Sequence, residues 1–256
     1  MSLLEVSKLS VRFDRAGAPA LHELDLIIEK GESVGLVGES GSGKTQAALA
    51  IMGLSSSASQ VTGSVRFDGQ ELLGASASAW RKVRARRIAM VFQDPKSALN
   101  PYKRVGEQLG MVLAAHGLAR GAEQKKRVLD MLALTGLPDP ERQARAYPHQ
   151  LSGGMRQRAM IASALIAEPE LLIADEPTTA IDATIQAQIL TLLRELRQQT
   201  GVAMLLISHD LGIVAGNSER LLVQHEGRTI ESGPTAEVFA NPEHEQTKAM
   251  LAAVHH

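Results

Sequence analysis

A run of glycines, one lysine and one threonine occupies residues 38–45, which read Gly-Glu-Ser-Gly-Ser-Gly-Lys-Thr. The apolar residues 34–37 before it suit a buried strand, and residues 46–52 after it suit a helix. Glycines let the backbone curl so that successive N–H groups point inward, and the following helix adds its positive dipole end. Together the loop and its flanks predict a binding site for phosphate groups.

The other residue types in this loop suit a nucleoside triphosphate with its magnesium ion. The Lys44 ammonium can reach the β- and γ-phosphates, and the Thr45 hydroxyl can ligate Mg²⁺. We expect the backbone of the remaining loop residues to surround the phosphates, namely Gly38, Glu39, Ser40, Gly41, Ser42 and Gly43. A chance glycine-rich turn before a helix is the alternative, and the complete motif with both flanks argues against it.

Two adjacent carboxylates, Asp175 and Glu176, end the apolar run that begins at residue 171. Adjacent acids after a buried strand are costly unless they meet a cation, a proton or polar donors. In a chain with a phosphate-binding loop, each acid can have its own task. Asp175 would hold the Mg²⁺ shell, and Glu176 would accept a proton from the attacking water or polarise it. A capping pair in a turn is the alternative.

Polar residues also follow two other apolar runs, at 88–92 and 202–207, as Gln93 and His209. Proteins with parallel sheets place ligand contacts at the carboxyl ends of strands, so both side chains should face the same crevice as Asp175. A single histidine is more often structural, which leaves that assignment open at this point.

Three further features are candidates for the site, and two of them allow two interpretations. Ser152, Gly153 and Gly154 begin a predicted helix that continues to residue 167, either as an ordinary cap or as an anion site at its positive end. Asp182 lies in the loop before a helix predicted to end at residue 199. Phe13 is a core aromatic or a platform on which an adenine ring stacks.

The rest of the chain indicates an α/β core interrupted by helices. Residues 3–13 and 21–28 alternate apolar and polar positions, which predicts strands around a turn at 15–19, and 61–67 predicts another strand. Between residues 96 and 150 helical periodicity dominates, at 105–116 and 122–134, and indicates a mostly helical insertion. Residues 80–87 contain a basic cluster, which we interpret as a solvated helix face rather than a phosphate-binding patch: Arg81, Lys82, Arg84, Arg86 and Arg87.

Composition limits the classes of function. With 256 residues and 44% hydrophobic content the chain can bury a large core, and its net charge of −1 supplies no field to attract nucleic acid. The absence of cysteine excludes disulfides and thiolate metal sites. We expect no signal peptide and no membrane span, because the first residues lack a charged-then-apolar order and no apolar run reaches about 18 residues. Any work at a membrane would then require a partner.

These motifs, taken in order, resemble the ATPase subunit of ABC transporters along essentially the whole chain. The resemblance rests on the loop 38–45, the Q-loop Gln93, the signature 151–155 (Leu-Ser-Gly-Gly-Met), the acids Asp175 and Glu176, the D-loop Asp182 and the switch His209. It implies an α/β P-loop NTPase fold, a RecA-like core with an antiparallel β edge sheet and an inserted helical subdomain. As a single domain, 1–256, its core would be 1–94 and 152–256, and its helical subdomain 95–151.

The resemblance also implies how the residues act. Phe13 stands at the adenine-stacking position, Gln93 touches Mg²⁺ or the attacking water, and Glu176 and His209 support hydrolysis. Two subunits sandwich two ATP molecules head to tail, so that Ser152, Gly153 and Gly154 of one chain close on the γ-phosphate held by the other. The second ATPase is a copy of this chain or, as the resemblance favours, a paralogue. Closing and opening of this dimer would drive transmembrane permease subunits.

Finer details resemble the subgroup that serves dipeptide, oligopeptide and nickel importers. The stretches that carry this are 91–95, 98–101, 147–154, 174–179 and 233–242. Met155 replaces the commonest Gln of the signature, and Ile181 replaces the usual Leu, changes we expect to be harmless. The chain ends at residue 256, before the cysteine-bearing extension of many peptide-import ATPases, which favours a nickel-type or related member. The resemblance places the subunit at the cytoplasmic face of the inner membrane, with a solute-binding protein as an indirect partner.

Two other classes remain as alternatives. Non-transport ABC ATPases that act on ribosomes or DNA usually have two cassettes or long coiled-coil insertions, whereas here only 57 residues separate Gln93 from Leu151. Nearly neutral charge also argues against nucleic acid as a partner. A P-loop kinase would have no use for the Ser-Gly-Gly signature, since a monomer has no second phosphate to cap.

Overall fold

The computed structural model describes residues 2–13, 19–94, 98–179 and 182–254. The chain forms two compact units, the first made of Met1–Arg81 with Gly201–His256 and the second of Lys82–Thr200. Most of the turn predicted at 15–19, the middle of the stretch from Asp94 to Ala98, and the Ile181 substitution lie outside the described residues.

An antiparallel sheet of four strands opens the first unit. Strand β1 (Ser2–Arg12) lies between β2 (Leu21–Glu29) and β4 (Gln60–Phe67), and β5 (Gln70–Glu71) pairs with β4. Buried and exposed residues alternate along β2, as expected of a sheet with one face on the core. This sheet confirms the antiparallel edge sheet that the sequence predicted.

The phosphate-loop strand, β3 (Ser33–Gly38), is buried at every position. It runs parallel to β8 (Ala203–Ser208) on one side and to β9 (Arg220–His225) on the other. Strand β10 (Arg228–Pro234) pairs with β9 in the antiparallel sense. Parallel sheets usually have helices packed on both faces, which agrees with the burial of every residue of β3 and β8 and with their mostly apolar sequences.

Helices account for most of the remaining described structure. In chain order they are α1 (Lys44–Ile51), α2 (Ala77–Val83), α3 (Val105–Ala115), α4 (Gly121–Leu134), α5 (Pro140–Arg145), α6 (Gly153–Leu165), α7 (Ala183–Thr200), α8 (Leu211–Ala215), α9 (Thr235–Ala240) and α10 (Glu245–Val254).

The second unit combines a parallel strand pair with a helical cluster. Strands β6 (Ile88–Val91) and β7 (Leu171–Asp175) are paired in parallel and wholly buried. Helices α3, α4 and α6 share an apolar core that includes Leu109, Leu132 and Ala159. The helical character of residues 105–145 confirms the predicted inserted helices, while the subdomain boundaries at 95 and 151 stay a prediction.

Two details differ from the sequence-based expectation. Strand β6 ends at Val91, and Phe92 beyond it is 37% exposed rather than part of the buried strand. The basic cluster is not one helix face, because α2 ends at Val83 and Ala85 adopts a left-handed conformation with φ 61°. Beyond that break Arg87 pairs with Glu170, with Nε 2.5 Å from Oε1 and Nη2 3.1 Å from Oε2.

One glycine of the antiparallel sheet is required by a bulge in the neighbouring strand. The pairing of β1 with β4 shifts between Ser7 and Ser10, and Lys8 within the shift has φ 47°. Gly63 on β4 faces it with φ 108°, and a Cβ there would stand 2.5 Å from the Lys8 carbonyl oxygen. Only glycine combines that backbone angle with that approach.

We therefore expect Gly63→Ala to destabilise the protein more than Gly69→Ala does. Gly69 also has positive φ, 77°, but a Cβ there meets nothing within 4 Å, so it isolates the conformational cost of about 1–2 kcal/mol. That cost corresponds to a fall in Tm of roughly 2–8 °C, and Gly63→Ala should lower Tm at least twice as far. Thermal unfolding of the two variants side by side measures this, and equal Tm values would contradict the role of the bulge.

Candidate active site

The phosphate loop joins β3 to α1 through three glycines with separate structural reasons. Gly41 and Gly43 have φ of 83° and 97°, the left-handed region that a side chain disfavours. A Cβ on Gly43 would lie 2.4 Å from the Ala20 carbonyl oxygen, and one on Gly38 only 2.2 Å from that of Gln224. The loop therefore adopts the curled conformation that the sequence predicted, with Gly43 as the N-cap of α1.

The Lys44 side chain lies inside this loop. It is only 4% exposed, and its Nζ donates to the carbonyl oxygens of Gly38 and Glu39 at 2.8 Å each and to Ser42 Oγ at 3.3 Å. Buried ammonium groups need such acceptors, since burial of an unpaired charge is costly. The loop thus holds a positive charge at the start of a helix, where an anion is favoured.

Two other predicted residues belong to the same unit. Phe13 directly follows β1 and is 48% exposed, which suits a ring available for stacking better than a core aromatic. His209 is exposed directly after β8, the strand that pairs with β3. Next to it Asp210 caps α8, its Oδ1 accepting from Gly212 N at 2.7 Å.

The acidic pair lies at the end of β7 in the second unit. Asp175 is 2% exposed, whereas the next residue, Glu176, turns away from the strand with φ 45°. A non-glycine residue in this region is strained, and such strain is common at functional sites. The Glu176 carboxylate is held through Oε2, which accepts from Gln93 Nε2 at 3.0 Å and from Thr179 Oγ1 at 2.8 Å. The structure therefore brings Gln93 and Glu176 together.

The signature residues occupy the start of α6. Ser152 is its N-cap, and its Oγ accepts from Met155 N at 3.3 Å. Gly154 packs against α7, where a Cβ would come 2.9 Å from Ile185 Cγ2, whereas a Cβ on Gly153 would meet nothing within 4 Å. Packing within the chain thus explains Gly154 but not Gly153, whose φ is also ordinary for other residues.

Helix α7, which packs against α6, begins at the predicted D-loop residue. The exposed Asp182 accepts from Ile185 N at 3.0 Å, which is the hydrogen bond of a helix N-cap. A buried side chain links α6 to the acidic turn, because Gln157, 2% exposed, donates from Nε2 to the Pro177 carbonyl oxygen. A hydrogen bond therefore joins α6 to the turn that contains Glu176.

Sequence analysis missed two contributors to this arrangement, Thr179 and Gln157. The signal for Thr179 was its position three residues after Glu176, the spacing at which a short turn returns a hydroxyl to a carboxylate. Gln157 offered less, since a glutamine in a helix is usually exposed and only its burial distinguishes it. That the residues of the two units act on one nucleotide stays a prediction.

The donor types agree with a magnesium–nucleotide complex. Mg²⁺ prefers oxygen ligands and is commonly held by one or two carboxylates together with substrate phosphates. Thr45 supplies a hydroxyl and Asp175 a carboxylate. Gln93 bonds to Glu176 through Nε2, and this hydrogen bond does not use the amide oxygen, which is the atom of Gln93 able to ligate a metal. Within the described ranges, no three histidine or acidic side chains form a metal-binding group.

Comparison with known proteins gives one family and a consistent set of relatives. A family model described as ABC transporter matches residues 21–179. The oligopeptide transport ATP-binding protein OppD of Salmonella typhimurium is 46% identical over 254 residues, covering 98% of this chain and 76% of its own. The dipeptide transport ATP-binding protein DppD of Haemophilus influenzae is 44% identical over 257 residues, with 99% and 78% covered.

Solved structures agree in fold. The ATP-binding cassette MJ0796, as a dimer in a post-hydrolysis state bound to ADP and Pi, superimposes with a TM-score of 0.78 at 29% identity, covering 91% of this chain and 98% of that one. The chain cbiO1 of Clostridium perfringens, part of an ABC transporter complex, gives 0.79 at 30% identity, with 94% and 91% covered. The α/β P-loop fold predicted from the motifs is thereby confirmed.

Thr179→Val should slow ATP hydrolysis because it removes the hydrogen bond from Thr179 Oγ1 to the Glu176 carboxylate. A hydrogen bond to a charged group supports a loss in kcat of about tenfold, with little change in KM. Thr179→Ser keeps the hydroxyl and should retain most of the activity. Steady-state ATPase kinetics of both variants test this, and equal rates for Val and Ser would show that the hydroxyl does not orient the carboxylate.

Proposed function

This chain belongs to the ABC transporter family, and from that premise we propose that it is the ATPase subunit of an importer for peptides or related small solutes. The observation that carries the hydrolytic part is the Glu176 carboxylate, turned out of β7 and held by Gln93 and Thr179. A carboxylate is the type of group that would accept a proton from an attacking water.

The phosphate loop supplies the binding part of the proposed reaction. Lys44 would transfer its hydrogen bonds from the loop carbonyl oxygens to the β- and γ-phosphates, whose negative charge is the stronger acceptor. The N–H groups of the remaining loop residues and the start of α1 would bind the other phosphate oxygens. Phe13 would hold the adenine ring by stacking.

Magnesium would enter with the nucleotide, and its chemistry would be to neutralise charge that develops on the phosphates. Thr45 and Asp175 would hold it through a hydroxyl and a carboxylate oxygen, with Gln93 as a further oxygen donor. Glu176 would take the proton of the attacking water, and His209 would contact the γ-phosphate and support the same step. These roles are proposals that the family resemblance and the residue types support.

Gly153 supports a site completed by a second ATPase molecule. Nothing within the described chain requires glycine there, because its φ is ordinary and a side chain would have open space. Close approach of a phosphate from another molecule does require it, since a Cβ would block the N–H groups at the start of α6. We infer that Ser152, Gly153 and Gly154 close on the γ-phosphate of the partner, with Asp182 at the same dimer contact.

The transported solute and the partners follow from the relatives. Because OppD and DppD are named for oligopeptide and dipeptide transport, a peptide is the substrate class we favour for the whole transporter. Nickel, which the sequence also suggested, has no support among these relatives and stays a prediction. No helix in the described part of the chain is long and apolar enough to cross a membrane. The proposal therefore includes permease subunits, a second ATPase, a solute-binding protein as an indirect partner, and a peripheral position on the cytoplasmic membrane face.

Glu176→Gln should separate ATP binding from hydrolysis. The amide keeps the shape of the side chain but cannot accept the proton, so turnover should fall by about two to four orders of magnitude. Affinity for ATP, measured by equilibrium binding, should remain within a few-fold of the wild type. Undiminished hydrolysis would remove Glu176 from the proposed mechanism.

Gly153→Asp should prevent the ATP-dependent dimer without unfolding the chain. An aspartate at this position faces the γ-phosphate of the partner with a like charge, whereas the open space around Gly153 predicts an unchanged Tm. In the Glu176→Gln background, sedimentation with ATP should show dimers for the unmodified signature and monomers for Gly153→Asp. Dimers that persist in the Asp variant would refute the proposed contact.

A further inference from the structure

A side chain of the last described helix contacts the phosphate loop. Gln246, on α10, donates from Nε2 to Glu39 Oε1 at 2.6 Å, although the two residues are 207 positions apart. His225, the last residue of β9, lies near the other carboxylate oxygen, with Nδ1 3.9 Å from Oε2. One exposed loop residue is thus hydrogen-bonded by α10 and lies near the end of β9.

Glu39 is also the residue that binds the phosphate-binding lysine. Its carbonyl oxygen accepts from Lys44 Nζ at 2.8 Å and from Ser42 N at 3.2 Å. The side chain of Glu39 therefore connects to the C-terminal helix, while its main chain connects to the centre of the loop. A displacement of this residue would alter both.

Helix α10 is fixed well enough to act as an anchor. The Glu231 carboxylate accepts from Glu243 N at 2.9 Å and from His244 N at 3.1 Å, which holds the start of the helix. Further along the helix, Leu251 packs in the apolar cluster that contains Val37 of β3. Gln246 lies between these two attachments and so has a defined position relative to the strand that leads into the loop.

The segment that Gln246 contacts lies at the protein surface. Residues 39–41 are exposed, and they contain two polar side chains and a glycine. A loop free to sample several conformations loses that freedom when phosphates bind, and the loss weakens binding. A side-chain hydrogen bond that restricts the loop beforehand reduces the loss.

We propose that Gln246 is a positioning residue for the nucleotide, acting through its hydrogen bond to Glu39. The inference rests on the proposed function of the loop, ATP binding, and adds the C-terminal helix to the structures that set its affinity. Because Gln246 acts through the phosphate loop, its effect falls on binding and not on the chemical step.

The test is equilibrium binding of Mg·ATP to the full chain, together with steady-state ATPase kinetics. Gln246→Ala should raise the Kd and the KM for ATP about three- to tenfold, the range expected for one partly exposed hydrogen bond, and should change kcat less than twofold. Gln246→Glu should weaken binding further, since it sets two carboxylates against each other.

Two variants provide matched controls. Lys248→Ala removes the exposed pair of Lys248 with Glu245, at 2.7 Å on the same helix, and should leave Kd within twofold of the wild type. The double variant Glu39→Gln with Gln246→Glu reverses donor and acceptor and should recover most of the affinity that Gln246→Glu loses. Thermal unfolding of each variant distinguishes a loss of ATP affinity at the loop from a loss of protein stability.

The outcomes are distinct. If the wild type fails to bind ATP, the proposed function itself is wrong. If the wild type binds but Gln246→Ala binds equally well, or loses kcat with Kd unchanged, the positioning role is overturned. An exchange of donor and acceptor that recovers nothing would likewise show that the Glu39–Gln246 contact does not govern affinity.

Discussion

A buried ammonium inside a turn of backbone is the interaction on which the first unit depends. Lys44 occupies the centre of its loop only because carbonyl oxygens of Gly38 and Glu39 are directed at it, and they are directed at it because the loop curls through glycines. The curled loop also requires that β3 end at Gly38 and that α1 begin at Lys44. Strand pairing on both sides of β3 fixes the first requirement, and the N-cap Gly43 satisfies the second. The lysine contacts and the glycine conformations thus determine the local fold of the loop.

The Glu176 carboxylate is positioned by its backbone conformation and by hydrogen bonds from neighbouring side chains. Glu176 leaves its strand in a left-handed conformation, and the hydrogen bonds from Gln93 and Thr179 determine where its oxygens lie. Its neighbour Asp175 keeps to the strand and is buried, so the two adjacent carboxylates lie in different environments.

Much of the fold could be predicted from the sequence, since its strongest signals are short apolar runs that end in polar residues. Strands β3, β7 and β8 lie within about one residue of their predicted bounds for that reason. The break after α2 could not be predicted, because an arginine-rich segment has the same composition whether the backbone continues or turns at Ala85. Contacts such as Glu39–Gln246 are equally invisible to sequence, since they join residues 207 apart through polar side chains without periodicity.

The two glycines of the signature differ in whether contacts within the chain require a glycine. Gly154 is a glycine because α7 lies against it, and that reason is complete within the structure. Gly153, its immediate neighbour, has neither a positive φ nor a close contact, so the fold would accept a side chain there. The first N–H groups of a helix lack partners within the helix, so a glycine that the fold does not require at this position is compatible with a ligand that approaches from outside the chain. The proposed contact with a phosphate held by a second subunit would supply such a ligand.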